Sequence, residues 1–135
     1  MKVIVDCNVW ISFLLGFQKE LIYKLLSSED IDVYVCAQLL HEIQDVATRP
    51  KIQSRINAND LEQLLRLIKV YGISVKIKNQ AVENIRDSKD LYLLSLAETV
   101  GADYVISGDG DLLVLQTHQN TKILSPAQFM QLMKR

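Results

Sequence analysis

Lys2-Val3-Ile4-Val5-Asp6-Cys7-Asn8-Val9-Trp10-Ile11-Ser12 opens the chain, and the fold follows from how it is read. Val3 to Val5 form a short apolar run that predicts a buried strand. It ends on Asp6, a side chain that is rarely buried without a partner. Far downstream, Tyr104-Val105-Ile106-Ser107-Gly108-Asp109-Gly110-Asp111 repeats the design, an apolar strand ending in carboxylate. Ligands of an open parallel α/β sheet bind just outside the carboxyl ends of its strands. Two such strands at the centre of one sheet would bring Asp6 and Asp109 to a single edge.

The residues between alternate strand with helix, which argues for a parallel sheet covered on both faces. Working outward, a helix is predicted from near Val9 to Leu26 with a break at Gly16, then a strand over 31–36. A helix over 37–48 carries Leu39, Leu40, Ile43 and Val46 on one stripe, and Pro50 ends it. A short helix over 51–56 follows. Asn59, with Glu62 three residues on, reads as the cap of a helix over 60–71 that buries Leu61, Leu64, Leu65 and Ile68. Gly72 reads as its C′ residue. A strand is predicted over 73–77, and a helix over 87–100 closed by Gly101. A strand over 102–107 and a last one over 122–124 bring the sheet to about five. Ser125-Pro126-Ala127-Gln128 starts a final helix, with a serine cap, a first-turn proline and a glutamine closing the box.

A chain of 135 residues, with no internal repeat or linker, is expected to be one domain over 1–135 with a sizeable core. Its 49% hydrophobic and 23% charged residues place it among soluble globular proteins rather than disordered ones. A net charge of −1 argues against coating nucleic acid by bulk electrostatics and leaves room for a local basic face. No apolar run is long enough to span a bilayer, and Asp6 interrupts any signal-peptide core, so a cytosolic protein is expected. The two cysteines, Cys7 and Cys36, lack zinc-site spacing and read as buried free thiols.

Of the sixteen acids, Glu29, Asp30, Asp32, Glu62 and Glu83 fall where solvent is expected. Asp6 is either a helix cap or a ligand at the strand end; Asn8 is an alternative cap. Asp109 is closer to its strand end than Asp111, which reads as a further ligand or as the cap of a short helix. Glu42 lies beside the apolar stripe of its helix, where a solvated flank residue is the plain alternative. Asp87 and Asp90 open the helix over 87–100, with Asp87 at the cap and Asp90 three residues on. Carboxylates that converge repel: two charges ~5 Å apart at an effective dielectric near 20 cost about 3 kcal/mol. A cation relieves this, and an all-oxygen donor set selects Mg²⁺ or Mn²⁺ over zinc.

Asp6-Cys7-Asn8-Val9, Glu42, Arg86-Asp87-Ser88-Lys89-Asp90-Leu91-Tyr92-Leu93 and Ser107-Gly108-Asp109-Gly110-Asp111-Leu112 together resemble the PIN domain across essentially the whole chain. Within that family the chain resembles the toxins of prokaryotic toxin–antitoxin systems. The resemblance implies a Rossmann-like α/β/α fold and a Mg²⁺- or Mn²⁺-dependent endoribonuclease, usually a homodimer or higher homo-oligomer, with a possible antitoxin partner. It implies catalytic and metal-binding roles for Asp6, Glu42, Asp90 and Asp109, with Asp111 as a possible fifth ligand. Asn8 and Ser107 would support them from behind. Cys7 departs from the threonine common at its place.

In this reading RNA is held by a basic rim, for which Lys19, Lys24, Arg49, Lys51 and Arg55 are candidates and equally ordinary surface charges. A second reading is a phosphatase of the haloacid-dehalogenase type, with Asp6 as nucleophile and the Gly-Asp-Gly-Asp turn as magnesium site. Such enzymes need an acid two residues after the nucleophile, where this chain has Asn8. A third is a non-catalytic interaction module, against which the full acid set weighs. His41 and His118 read as surface residues, and Trp10, Tyr23 and Tyr34 as core or interface.

Overall fold

A computed structural model describes residues 1–78 and 90–134. Its elements, in chain order, are β1 (Lys2–Val5), α1 (Cys7–Leu14), α2 (Lys19–Ser27), β2 (Asp32–Val35), α3 (Ala37–Ala47), α4 (Pro50–Gln53), α5 (Ala58–Tyr71), β3 (Ile73–Ser74), α6 (Leu91–Val100), β4 (Tyr104–Ile106), α7 (Gly110–Leu113), β5 (Thr117–His118), β6 (Thr121–Leu124) and α8 (Pro126–Met133). The six strands form one sheet in the order β3-β2-β1-β4-β6-β5. All pairings are parallel except β5 with β6. The architecture is a three-layer α/β/α fold.

The strand order places the functional edge. The chain steps outward from β1 to β2 to β3, then returns to lay β4 on the other flank of β1. The β1–β4 seam is therefore the topological switch point, where diverging connections leave a crevice above the strand ends. Val3, Ile4 and Val5 face Tyr104, Val105 and Ile106 in register, and the Asp6 amide donates to the Ile106 carbonyl at 2.9 Å. That register sets Asp6 directly opposite Ser107.

The core explains why the seam is rigid. Val3, Ile4, Val5, Val105 and Ile106 are fully buried, as sheet centres covered on both faces require. On one side α1, α3 and α5 pack on one another, while α6 packs on both β1 and β4. Within α6, Leu93, Leu94, Leu96 and Ala97 are all buried, so this helix is apolar nearly all round and is held from several directions. Trp10 is also buried and donates its indole N–H to the Val5 carbonyl at 3.0 Å, locking α1 to the end of β1. Cys7 and Cys36 are buried free thiols.

Several boundaries differ from the sequence reading. Helix α1 starts at Cys7, directly after β1, with Asp6 as its cap, and the expected break separates it from α2. The cap of α5 is Asn57 with Asp60, not Asn59 with Glu62; two overlapping Asn-x-x-acid patterns stand there, and the earlier one is used. Gly72 does follow α5, but in extended rather than left-handed geometry. A side chain there would come within 2.6 Å of the Ile68 carbonyl, so glycine is required for close approach. Gly101, at φ 67°, is the left-handed cap expected after α6. Strand β3 is two residues long, and β5 adds a sixth, antiparallel strand. Tyr23 is exposed, so it is not a core residue. His118 is not a surface residue: it is buried in β5 with Nε2 3.0 Å from Glu98. Glu83 and Asp87 lie outside the described residues.

Candidate active site

The β1–α1 junction leaves no spacer between strand and helix. Asp6 is consequently both the last residue over the sheet and the N-cap of α1, and it is 2% exposed. Its Oδ1 accepts from the Cys7 amide at 2.6 Å, and its Oδ2 accepts from the Ser107 hydroxyl at 2.7 Å and Asn8 Nδ2 at 3.1 Å. The cap and ligand readings of Asp6 thus describe one geometry. A carboxylate offers about four lone-pair directions, and these three bonds leave room for one more acceptor contact. Burial, more than any other influence, pushes the Asp6 pKa up to about 6. The Ser107 and Cys7 hydrogen bonds oppose this, and the charges of Glu42 and Asp109 add to it. Among the described residues, Asp6 is therefore a buried acid whose charge is disfavoured by burial and by the neighbouring carboxylates.

Ser107 and Asn8 tie the two strand ends together. Ser107 donates to Asp6 while its oxygen accepts the Asp109 amide at 3.0 Å. Asn8 donates to Asp6 and accepts the Gly108 amide at 3.0 Å. Two residues farther from its strand than Asp6 is from β1, Asp109 caps α7 by accepting the Asp111 amide at 2.9 Å. Asp111 is thus in the first turn of α7, and the cap is Asp109 instead.

Asp6, Glu42, Asp90 and Asp109 line one cleft of about 240 Å³, together with Cys7, Asn8, Ile11 and Val46. Larger hollows of about 390, 440 and 400 Å³ lie elsewhere, two of them without an acid and one with Asp60 alone. Convergent chemistry, not size, marks the site. Glu42 is half-buried rather than a solvated flank residue, and it accepts from the Tyr92 hydroxyl at 3.2 Å. Asp90 is buried and sits immediately before α6, at its N-cap position without a side-chain capping bond, rather than three residues inside the helix. The Cys7 thiol is pushed well above its usual range, by burial first and then by Glu42, so it stays a neutral thiol.

Tyr92 escaped the sequence reading. Its only signal was a hydroxyl-bearing ring in a run of leucines two residues past Asp90. Of the basic candidates, Lys19, Arg49, Lys51 and Arg55 are exposed and Lys24 is half-buried. Arg49 pairs with Asp45 at 3.0 Å at the surface. Lys19 lines a separate hollow between the α1–α2 connection and α5.

Residues 2–111 match the PIN domain, a stretch from β1 into the first turn of α7 that contains every acid of the cleft. The chain belongs to the PIN domain family. Among solved structures, this PIN domain is similar to a chain in the crystal structure of VapBC2 from Rickettsia felis bound to a DNA fragment from their promoter. The TM-score is 0.62 and the identity 11%, over 93% of this chain and 98% of that one. At that identity the likeness is one of fold. No curated protein matches the chain. No helix among the described residues of this PIN domain is long and apolar enough to cross a membrane.

The acids also meet a chemical test. Among the described residues no group of three or more His, Cys, Asp and Glu side chains is arranged to hold a metal ion outright. Magnesium sites are commonly built from one or two carboxylates, with water and substrate phosphate completing the octahedron. A buried acid with an acceptor direction to spare, beside three further carboxylates, fits that pattern.

Proposed function

We propose that this PIN domain is a Mg²⁺- or Mn²⁺-dependent endoribonuclease, the toxin of a prokaryotic toxin–antitoxin pair. The observation that carries the reading is the convergence of Asp6, Glu42, Asp90 and Asp109 on one cleft at the switch point. PIN domains are generally nucleases, which supports the reaction class. The fold likeness to VapBC2 supports an antitoxin partner, and a homo-oligomeric assembly is part of the same proposal.

Asp6, Asp90 and Asp109 would hold the ion, with Asp111 as a more distant candidate. When bound, a divalent ion supplies charge neutralisation, polarisation of the scissile phosphate and activation of a water. Asp6 contributes a fixed acceptor direction, because Cys7, Asn8 and Ser107 leave its carboxylate no freedom to turn. Glu42 orients the attacking water or holds a second ion. Arg49, Lys19, Lys24, Lys51 and Arg55 would form the basic contacts to the RNA backbone. The phosphatase reading fares worse: both ends of the Asn8 amide are committed to Asp6 and Gly108, so nothing at that position moves a proton.

The test is incubation of the purified chain with mixed single-stranded RNA and with a phosphomonoester, in Mn²⁺ or Mg²⁺, with and without chelator. Cleavage of RNA that chelator abolishes is expected. Equal cleavage in chelator would remove the metal from the reaction, turnover of the monoester alone would favour the phosphatase, and inactivity in both would leave an interaction module.

A further inference from the structure

The nuclease reading gives Tyr92 no task, yet its hydroxyl addresses the cleft directly. Tyr92 stands in the first turn of α6, two residues after Asp90, and its half-buried ring packs on the core. Its O–H donates to Oε1 of Glu42, fifty residues earlier on α3. At the β1–α1 junction, Cys7 lines the same cleft as Glu42. The Tyr92 hydroxyl thus gives Glu42 a donor from a different element.

A glutamate side chain has three torsions to fix, and at a half-exposed site it samples many of them. Each unproductive arrangement must be given up when substrate and ion arrive. A carboxylate held in place before binding avoids that cost. The ring of Tyr92 could be replaced by that of Phe without loss of packing, so the hydroxyl is the part that matters to the cleft. A phenol is protonated at neutral pH, so the hydroxyl remains a donor.

We propose that Tyr92 is a positioning residue, whose hydroxyl clamps the Glu42 carboxylate beside Asp6, Asp90 and Asp109. This rests on the nuclease reading of the cleft. The clamp also couples α3 to α6 across the strand ends, so the acids contributed by the two helices keep a fixed relation.

The experiment compares the full chain with Tyr92→Phe, Glu42→Ala and the double variant. Metal-free melting, the Mn²⁺ concentration giving half of the metal-induced melting shift, and kcat and KM for single-stranded RNA are measured on each. Tyr92→Phe should melt like the wild type without metal. It should need about tenfold more Mn²⁺ and lose about tenfold in kcat, the scale seen when a group that orients a ligand is removed, with KM for RNA unchanged. In the Glu42→Ala background, Phe at 92 should add less than about twofold, because the group it acts through is gone. Additive effects, a Tyr92→Phe protein that responds to Mn²⁺ like the wild type, or one that no longer folds would each overturn the clamp. A wild type that neither cleaves RNA nor shifts its melting with Mn²⁺ would bring down the nuclease reading itself, and the clamp with it.

Discussion

Asp6 and Asp109 end neighbouring parallel strands, and each caps the helix that follows, yet they occupy different electrostatic worlds. At β1 the helix starts at once, and the acid is pressed between the strand ends, 2% exposed, with a pKa near 6. At β4 two residues intervene, and Asp109 is lifted to the rim, half-buried, with α7 only four residues long behind it. The position that truly corresponds to Asp6 on β4 is Ser107, set opposite it by the Val5–Ile106 register. Two carboxylates could not share that floor without a cation between them. A serine can, and it turns repulsion into a 2.7 Å donor. The pair shows how one local pattern of strand, acid and helix yields a deep ligand and a shallow one according to spacer length alone.

The comparison breaks first at the deep acid. Asp6→Asn should reduce RNA cleavage by more than about a hundredfold, beyond the range for groups that only orient a ligand. It should also blunt the melting shift caused by Mn²⁺. Retained cleavage would demote Asp6 to a structural cap.

Ser107→Ala attacks the same carboxylate from its partner. It removes the donor to Asp6 and strands the Asp109 amide, which should cost about 1–3 kcal/mol of stability in chemical unfolding. Cleavage should fall by about 10–100-fold. A variant as stable and as active as the wild type would mean that the two strand ends do not depend on each other.

The deep acid should also be visible in pH dependence without metal. Its folded pKa lies above the unfolded value of 3.8, so between about pH 4 and 6 the native state binds the extra proton. Stability from Asp6 is complete below pH 4, declines through that window and levels off above pH 6. The drop should be about 3 kcal/mol, from roughly two units at 1.36 kcal/mol each. Unfolding curves in chelator, taken as the difference between wild type and Asp6→Asn, isolate this slope from the other acids. A flat difference would show that Asp6 has found a compensating charge.

The shallow end should give the smallest effects on stability. Asp109→Ala should lose a cap, about 0.5–2 kcal/mol, along with cleavage. Asp111→Ala should change stability within about 0.5 kcal/mol, as surface substitutions do, and retain more activity than Asp109→Ala. The reverse order of activity would make Asp111 the ligand and Asp109 merely the cap. Thermal melts and single-turnover cleavage on the two variants decide this.

Local physics made much of the protein legible in advance. The alternation of apolar runs with helical stripes foretold the parallel sheet, and the capping box at Ser125 and Gln128 foretold the start of α8 to the residue. Asp6 and Asp109 stood out because an acid at the end of an apolar strand conflicts with burial unless something uses it. What short-range patterns could not resolve were contacts between elements distant in the chain. Glu42 was indistinguishable from a solvated flank residue until α3 was laid beside the seam. Tyr92 carried no sign that its hydroxyl would reach α3. His118, in a run of polar residues, is buried with its Nε2 3.0 Å from Glu98 of α6, a contact between distant elements. Choosing Asn57 over Asn59 as the α5 cap likewise awaited the path of the preceding turn. Periodicity and capping depend on neighbours within four residues, and these the sequence states outright. The depth of a carboxylate, and what holds it, depends on strand register and helix packing, which exist only once the chain has closed on itself.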